Sequence, residues 1–94
     1  CLGCARLIFG TLRGADLSGA DLSGANLSGA NLDFSCFPLW CGSFGIKADD
    51  RLLYQLCYHI CKLDSSTDDF KAVKAALMPY ANKFHRVGEC GVVK

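Results

Sequence analysis

Seven cysteines and two histidines are the residues of this 94-residue chain whose types suit metal binding or nucleophilic chemistry. The strongest candidate ligand set lies in the C-terminal half and comprises Cys57, Cys61, His85 and Cys90. Zinc takes thiolate and imidazole ligands of this kind in tetrahedral sites. Cys57 and Cys61 are four residues apart, so they share one face of a predicted helix. The pattern therefore indicates a zinc-stabilised binding module as one alternative.

We favour a structural role for these cysteines. Cys57 and Cys61 stand one position away from an apolar stripe, where cysteine behaves as a small hydrophobic side chain. An odd cysteine count argues against a complete disulfide framework. No spacing places a thiol beside an imidazole for catalysis, and no phosphate-binding or oxyanion loop is recognisable. We therefore predict a non-enzymatic protein that needs no cofactor.

A five-residue period organises the first two fifths of the chain. Residues 15–32 repeat the unit Ala-(Asp/Asn)-Leu-Ser-Gly, and steps of five extend the central apolar position from Leu2 to Phe37. This period fits neither an α-helix nor a flat strand, and each repeated glycine costs a helix about 1 kcal/mol relative to alanine. The pattern predicts eight units, ending near Leu39, with the central leucine inward and the Ser-Gly pair outward.

These units resemble the pentapeptide-repeat family, whose motif is A(D/N)LXX. The resemblance covers residues 1–39 and implies a right-handed quadrilateral β-helix with four units in each coil, hence about two coils. Such stacking places residue i against residue i+20. It therefore predicts that Arg13 lies beside Asp33 and that Thr11 lies beside Asn31.

From Lys47 the apolar residues follow a helical period. We predict an inward face on the first helix formed by Leu52, Leu53, Leu56, His59, Ile60 and Leu63. A second helix follows Ser66, and Pro79 kinks it or begins a third. The predicted fold class is thus a mainly β solenoid plus α. In this prediction residues 1–39 form the β-helix, and residues 40–94 form a helical cap of two or three helices packed on the last coil. This extension resembles those of some bacterial and phage members, and the resemblance implies no activity.

Two classes of function follow. The first is a small interaction module that binds a partner protein or self-associates, with the uncovered N-terminal coil as the predicted homodimer contact. The second, implied by the resemblance, is a DNA mimic that inhibits a topoisomerase or another DNA-acting enzyme. Size disfavours the mimic, because two coils span roughly 10 Å at the usual strand spacing, whereas one DNA turn spans about 34 Å.

Seven outward positions are candidate partner contacts. The outward apolar residues either form a binding patch or pack at the corners of the repeat. The acidic residues suit a DNA mimic, and the cationic residues suit an anionic partner. The residues are Ile8, Phe9, Phe34, Asp16, Asp21, His85 and Arg86. The net charge of +1 predicts no direct nucleic-acid binding. No membrane span or secretory signal is recognisable, so we expect a cytoplasmic protein.

Overall fold

A computed structural model describes residues 11–94. The chain divides into two compact units, the first ending at Asp49 and the second comprising Asp50–Lys94. We describe each unit separately.

Tight turns close the five-residue units of the first compact unit. The backbone N–H of Ala15 donates to the carbonyl oxygen of Leu12 at 3.0 Å, and the same bond recurs between Ala20 and Leu17 at 2.9 Å. Gly14, the third residue of its turn, has a φ of 73°, as a type II turn requires. The chain thus turns once in every five-residue unit, at the segment from the leucine to the next alanine.

Backbone hydrogen bonds also join positions about four units apart. The N–H groups of Leu12 and Leu17 donate to the carbonyl oxygens of Asn31 and Cys36, at 2.7 and 2.9 Å. Residues 31–47, which we call the second pass, therefore lie against residues 11–29, the first pass.

The register of this pairing changes by one residue near Trp40. Asp16 forms a parallel bridge with Cys36, twenty residues on, whereas Asn26 forms one with Lys47, twenty-one residues on. One additional residue is therefore accommodated in the second pass between Cys36 and Lys47. The backbone pairing continues beyond Pro38 and ends at Lys47.

The predicted fold class of a mainly β solenoid, a right-handed quadrilateral β-helix of about two coils, is wrong for the residues described. Between residues 11 and 94 the structure contains three isolated parallel bridges, with neither a β-strand nor a sheet, and its regular elements are helices. The physical reason is the density of turns. A typical strand runs for about 5–6 residues, whereas here the chain changes direction within every unit.

The central leucines form the core of the first unit. Leu17, Leu22, Leu27 and Leu32 are all buried, as the five-residue period predicts. Each fully buried leucine contributes about 1.5–3 kcal/mol relative to an exposed one. Two of the predicted cross-pass pairs are confirmed: Nη1 of Arg13 lies 4.0 Å from Oδ2 of Asp33, and Thr11 bridges Asn31.

The two passes approach each other closely at Gly42. A methyl group at this position would lie 2.8 Å from the Ala20 carbonyl oxygen and would collide with the indole of Trp40. We expect Gly42→Ala to destabilise the first unit by about 1–3 kcal/mol through overpacking. The readout is hydrogen exchange of the Leu22 amide, which donates to the Gly42 carbonyl oxygen at 2.7 Å.

The matched control is Gly19→Ala, because no atom lies within 4 Å of a methyl group there. Protection of the Leu22 amide should fall in the Gly42 variant and stay unchanged in the Gly19 variant. Equal protection in both variants would contradict the close packing at Gly42.

The second unit contains three helices: α1 (Asp50–Cys61), α2 (Asp68–Ala81) and α3 (Val87–Cys90). Thr67 caps α2, because its Oγ1 accepts the N–H of Phe70 at 3.1 Å. The cap is one residue later than the predicted Ser66. Pro79 lies inside α2. Gly91, with a φ of 94°, ends α3.

Two aromatic rings anchor the core of the second unit. The ring centroids of Tyr58 and Phe84 are 4.7 Å apart, and the Tyr58 hydroxyl donates to the Gly91 carbonyl oxygen at 2.6 Å. The Asn82 amide secures the tail through bonds of 2.7 and 3.2 Å to the backbone of Val93. The buried residues of this cluster are Cys57, Tyr58, Cys61, Ala81, Phe84 and Val93.

The predicted inward face of α1 is largely wrong. Leu53, Ile60 and Leu63 are exposed, and His59, predicted to be buried, is also exposed. The buried residues of α1 are instead Leu52, Gln55, Cys57, Tyr58 and Cys61. Tyr58 determines which face of α1 is buried, because its large ring packs on Phe84 while its hydroxyl needs a buried acceptor.

Candidate functional site

The second pass displays large apolar side chains on its outside. Phe34, Leu39 and Phe44 follow one another at five-residue spacing, and they are 61%, 93% and 67% exposed. Trp40 is the residue beside Leu39 and is also exposed. We call these four residues the apolar edge. The earlier repeats carry serine or glycine on the outside, so this change of residue type sets the second pass apart as a candidate binding surface.

Part of the apolar edge lines a shallow, open groove. Phe37, Leu39 and Trp40 provide its apolar lining, and Ser18 and Gly19 from the first pass also line it. The small first-pass residues leave room for a ligand side chain against the indole and the leucine. This arrangement suits an apolar contact with a polar rim.

Two carboxylates of the first pass are held in fixed turns. Asp16 Oδ1 accepts the hydroxyl of Ser18 at 2.7 Å and its N–H at 3.1 Å. Asp21 makes the same two bonds with Ser23, at 2.6 and 3.1 Å. The serine hydroxyl, followed by the backbone N–H, lowers the pKa of each carboxyl below its ordinary value of 3.8. Both groups are therefore ionised near neutral pH.

The lowered pKa values predict a stability change in acid. Each carboxylate stabilises the folded state above its unfolded pKa, and this contribution is lost as the pH falls through the lower, folded pKa. We expect Ser18→Ala to raise the pKa of Asp16 and to leave that of Asp21 unchanged. A carboxyl-carbon NMR titration measures both groups. An unchanged Asp16 titration in the variant would contradict the assigned cause.

Another exposed part of the first unit already holds a cation over an aromatic ring. The Arg13 guanidinium carbon lies 4.6 Å from the centroid of the Phe34 ring, and the same guanidinium group pairs with Asp33. Phe34 adopts a φ of 62°, the position that glycine takes in the equivalent turn at Gly14. Phe34 is thus exposed, as predicted for a candidate contact, and one side of its ring is covered by Arg13.

The remaining predicted contacts lie elsewhere. Ile8 and Phe9, together with the proposed N-terminal dimer contact, fall outside the described residues. His85 is exposed, and its Nδ1 accepts the Nε–H of Arg51 at 3.3 Å. Arg86 pairs with Glu89 at 2.7 Å. The roles of all these residues as partner contacts stay predictions.

The candidate metal ligands do not form a cluster in the described part of the chain. Among residues 11–94, no group of three or more histidine, cysteine or acidic side chains is placed to hold a metal ion. Cys57 and Cys61 are buried, whereas Cys90 is exposed. Burial, followed by the neighbouring Cys57, raises the pKa of the Cys61 thiol. A protonated, buried thiol is a poor metal ligand and a poor nucleophile.

Sequence reasoning missed Leu39, Trp40 and Phe44 as site residues. The available signal was the replacement of the outward serine and glycine by large apolar residues at the same five-residue spacing as Phe34. The one-residue register change hid this signal, because it ends the regular repeat at Trp40.

Comparison with known families identifies the N-terminal segment. The family model for pentapeptide repeats matches residues 1–37 in eight copies. No curated protein and no solved structure shows significant similarity to the chain. None of the helices between residues 11 and 94 has the length and apolar character needed to cross a bilayer.

Pentapeptide repeats generally act as non-enzymatic structural or interaction modules. Both the repeated unit and the buried central leucines agree with the family match. Residues 1–37 of this chain therefore match the pentapeptide-repeat family in eight copies of its repeat.

Proposed function

We propose that this chain is a non-enzymatic interaction module that binds a partner protein through the apolar edge. The observation that carries the proposal is the exposure of Phe34, Leu39, Trp40 and Phe44 on one pass of the repeat unit. Soluble proteins expose single apolar residues routinely, but a regular series of aromatic and leucine side chains is typical of a binding surface.

The composition of the edge suits a protein partner. Tryptophan is enriched among the residues that dominate binding energy at interfaces, and Trp40 is the single tryptophan of the chain. Burying a leucine or phenylalanine side chain contributes about 1.5–3 kcal/mol. The turns that carry these residues are braced by backbone bonds between the passes, such as that from Gly24 to Phe44 at 3.3 Å. A braced surface loses little conformational entropy on binding.

The DNA-mimic alternative gains no support from the described charges. In residues 11–49, Asp33 pairs with Arg13, and Asp49 Oδ2 accepts the N–H of Gly29 at 2.7 Å. The carboxylates of Asp16 and Asp21 alone fall far short of the one charge per ~1.7 Å that duplex DNA presents.

The cytoplasm is the compartment that we propose. Five cysteines of the described chain are free, and three of them are exposed. Exposed free thiols persist in a reducing compartment and are oxidised outside it. This support is independent of the binding proposal.

Quantitative affinity capture tests the proposed surface. Wild-type protein is compared with the double variant Leu39→Ser/Phe44→Ser, using an extract of the source organism. The control is Leu53→Ser/Leu63→Ser, which removes two exposed leucines from the second unit. We expect the edge variant to capture at least tenfold less partner protein than wild type and the control to capture the wild-type amount. Equal capture by both variants would contradict the proposal, provided that hydrogen exchange confirms an intact first unit.

A further inference from the structure

The groove beside Trp40 combines apolar lining residues with a serine that is bonded to a carboxylate. Phe37, Leu39 and Trp40 are its apolar lining residues, and Ser18 also lines it. Ser18 is bonded through both its hydroxyl and its N–H to Asp16 Oδ1. The bonds fix this negative charge next to the groove.

Elsewhere in the same unit, an aromatic ring and a carboxylate together bind an arginine of this chain. There the Arg13 guanidinium lies over the Phe34 ring, 4.6 Å from its centroid, and 4.0 Å from Asp33. A guanidinium group suits this environment because its flat, weakly hydrated surface stacks on a ring while its edge pairs with a carboxylate. The chain thus supplies its own arginine to one aromatic–carboxylate pair.

Among the residues that the structure describes, the groove is lined by no arginine. Five residues after Arg13, the corresponding position is Ser18, and the lining residues Ser18, Gly19, Phe37, Leu39 and Trp40 include no cation. The described groove therefore offers an indole, apolar carbons and an ionised carboxylate.

We propose that this groove binds an arginine side chain from the partner protein, in a segment that is basic rather than purely apolar. The arginine stem packs on Leu39, the guanidinium stacks on Trp40, and its N–H groups donate to Asp16. The inference rests on the proposed function, and it adds the chemical class of the segment that the apolar edge recognises.

Trp40 is the only tryptophan in the chain, so its fluorescence reports directly on the groove. The probe is an acetylated, amidated peptide of three arginines separated by serines. Its control carries citrulline, a neutral isostere, in place of each arginine. We expect a saturable Trp40 signal with the arginine peptide and at least fivefold weaker binding of the citrulline peptide.

Asp16→Asn tests the carboxylate. This variant should fold, because Asn26 accepts the N–H of Ser28 at 3.1 Å in the equivalent turn. We expect at least threefold weaker binding of the arginine peptide. Asp64→Asn is the matched control, since it removes the same charge at an exposed position of the second unit, and we expect it to bind like wild type.

Three outcomes would overturn the inference: no Trp40 response, equal binding of the citrulline peptide, or equal weakening by the two aspartate variants. The proposed function has a separate criterion. If Asp16→Asn captures the partner fully while Leu39→Ser/Phe44→Ser does not, the interaction surface stands and the arginine inference fails. If both variants capture the partner fully, the proposed surface itself fails.

Discussion

Leu22→Lys is expected to unfold the first unit, whereas Ser28→Lys should leave it folded. The Leu22 side chain is completely buried, and truncating such a leucine to alanine alone costs about 2–5 kcal/mol. Lysine adds the cost of an unpaired charge among leucines. The total is comparable with the whole stability of a small domain, about 5–15 kcal/mol.

Ser28 is the control because it occupies the outward position of the following unit. It is only partly buried, and its N–H still donates to Asn26 after substitution. Amide protection at Leu17, Leu22 and Leu27, measured by hydrogen exchange, distinguishes the two variants. Comparable protection in both would contradict the assignment of inward and outward positions.

Phe84→Ala should strongly destabilise the second unit, by about 3–5 kcal/mol. Phe84 is buried against Tyr58 at a centroid distance of 4.7 Å. Removing the ring leaves a cavity beside Tyr58, whose hydroxyl position depends on the same packing. Thermal unfolding followed by circular dichroism at 222 nm reports this change, because the α-helices of the described chain all lie in this unit.

Leu63→Ala is the contrasting variant. The sequence pattern assigned Leu63 to the core, but the side chain is 63% exposed. An exposed substitution of this kind changes stability by about 0.5 kcal/mol or less. If Leu63→Ala lowered the stability of the second unit as much as Phe84→Ala, the result would support the buried face predicted from the sequence and contradict the observed one.

The internal period explains what the sequence could predict. Five-residue spacing by itself fixes which side chains point inward, so the burial of Leu22 and Leu27 follows directly. The contact between Arg13 and Asp33 follows only with the four units per coil that the family resemblance implies. The family resemblance added the β-solenoid class, which fails because a chain that turns in every unit forms isolated bridges rather than strands.

The remaining features depend on contacts that the sequence pattern does not encode. On α1, a count of hydrophobic residues favours burial of the face that contains Leu53 and Ile60 over the face that contains Tyr58. The buried face of α1 is determined instead by the packing of Tyr58 on Phe84 and by the hydrogen bond of the Tyr58 hydroxyl to Gly91. Similarly, the shift near Trp40 is a single additional residue. It breaks the period and conceals that Leu39 and Phe44 lie on the outside of the second pass.

Site-specific photo-crosslinking tests the central claim most directly. A benzoylphenylalanine placed at Leu39 samples the apolar edge, and the same group placed at Leu53 samples an exposed leucine of the second unit. On irradiation in cells, we expect a discrete protein adduct from position 39 and none from position 53. An adduct from position 53 alone, or the same adducts from both positions, would contradict binding through the apolar edge.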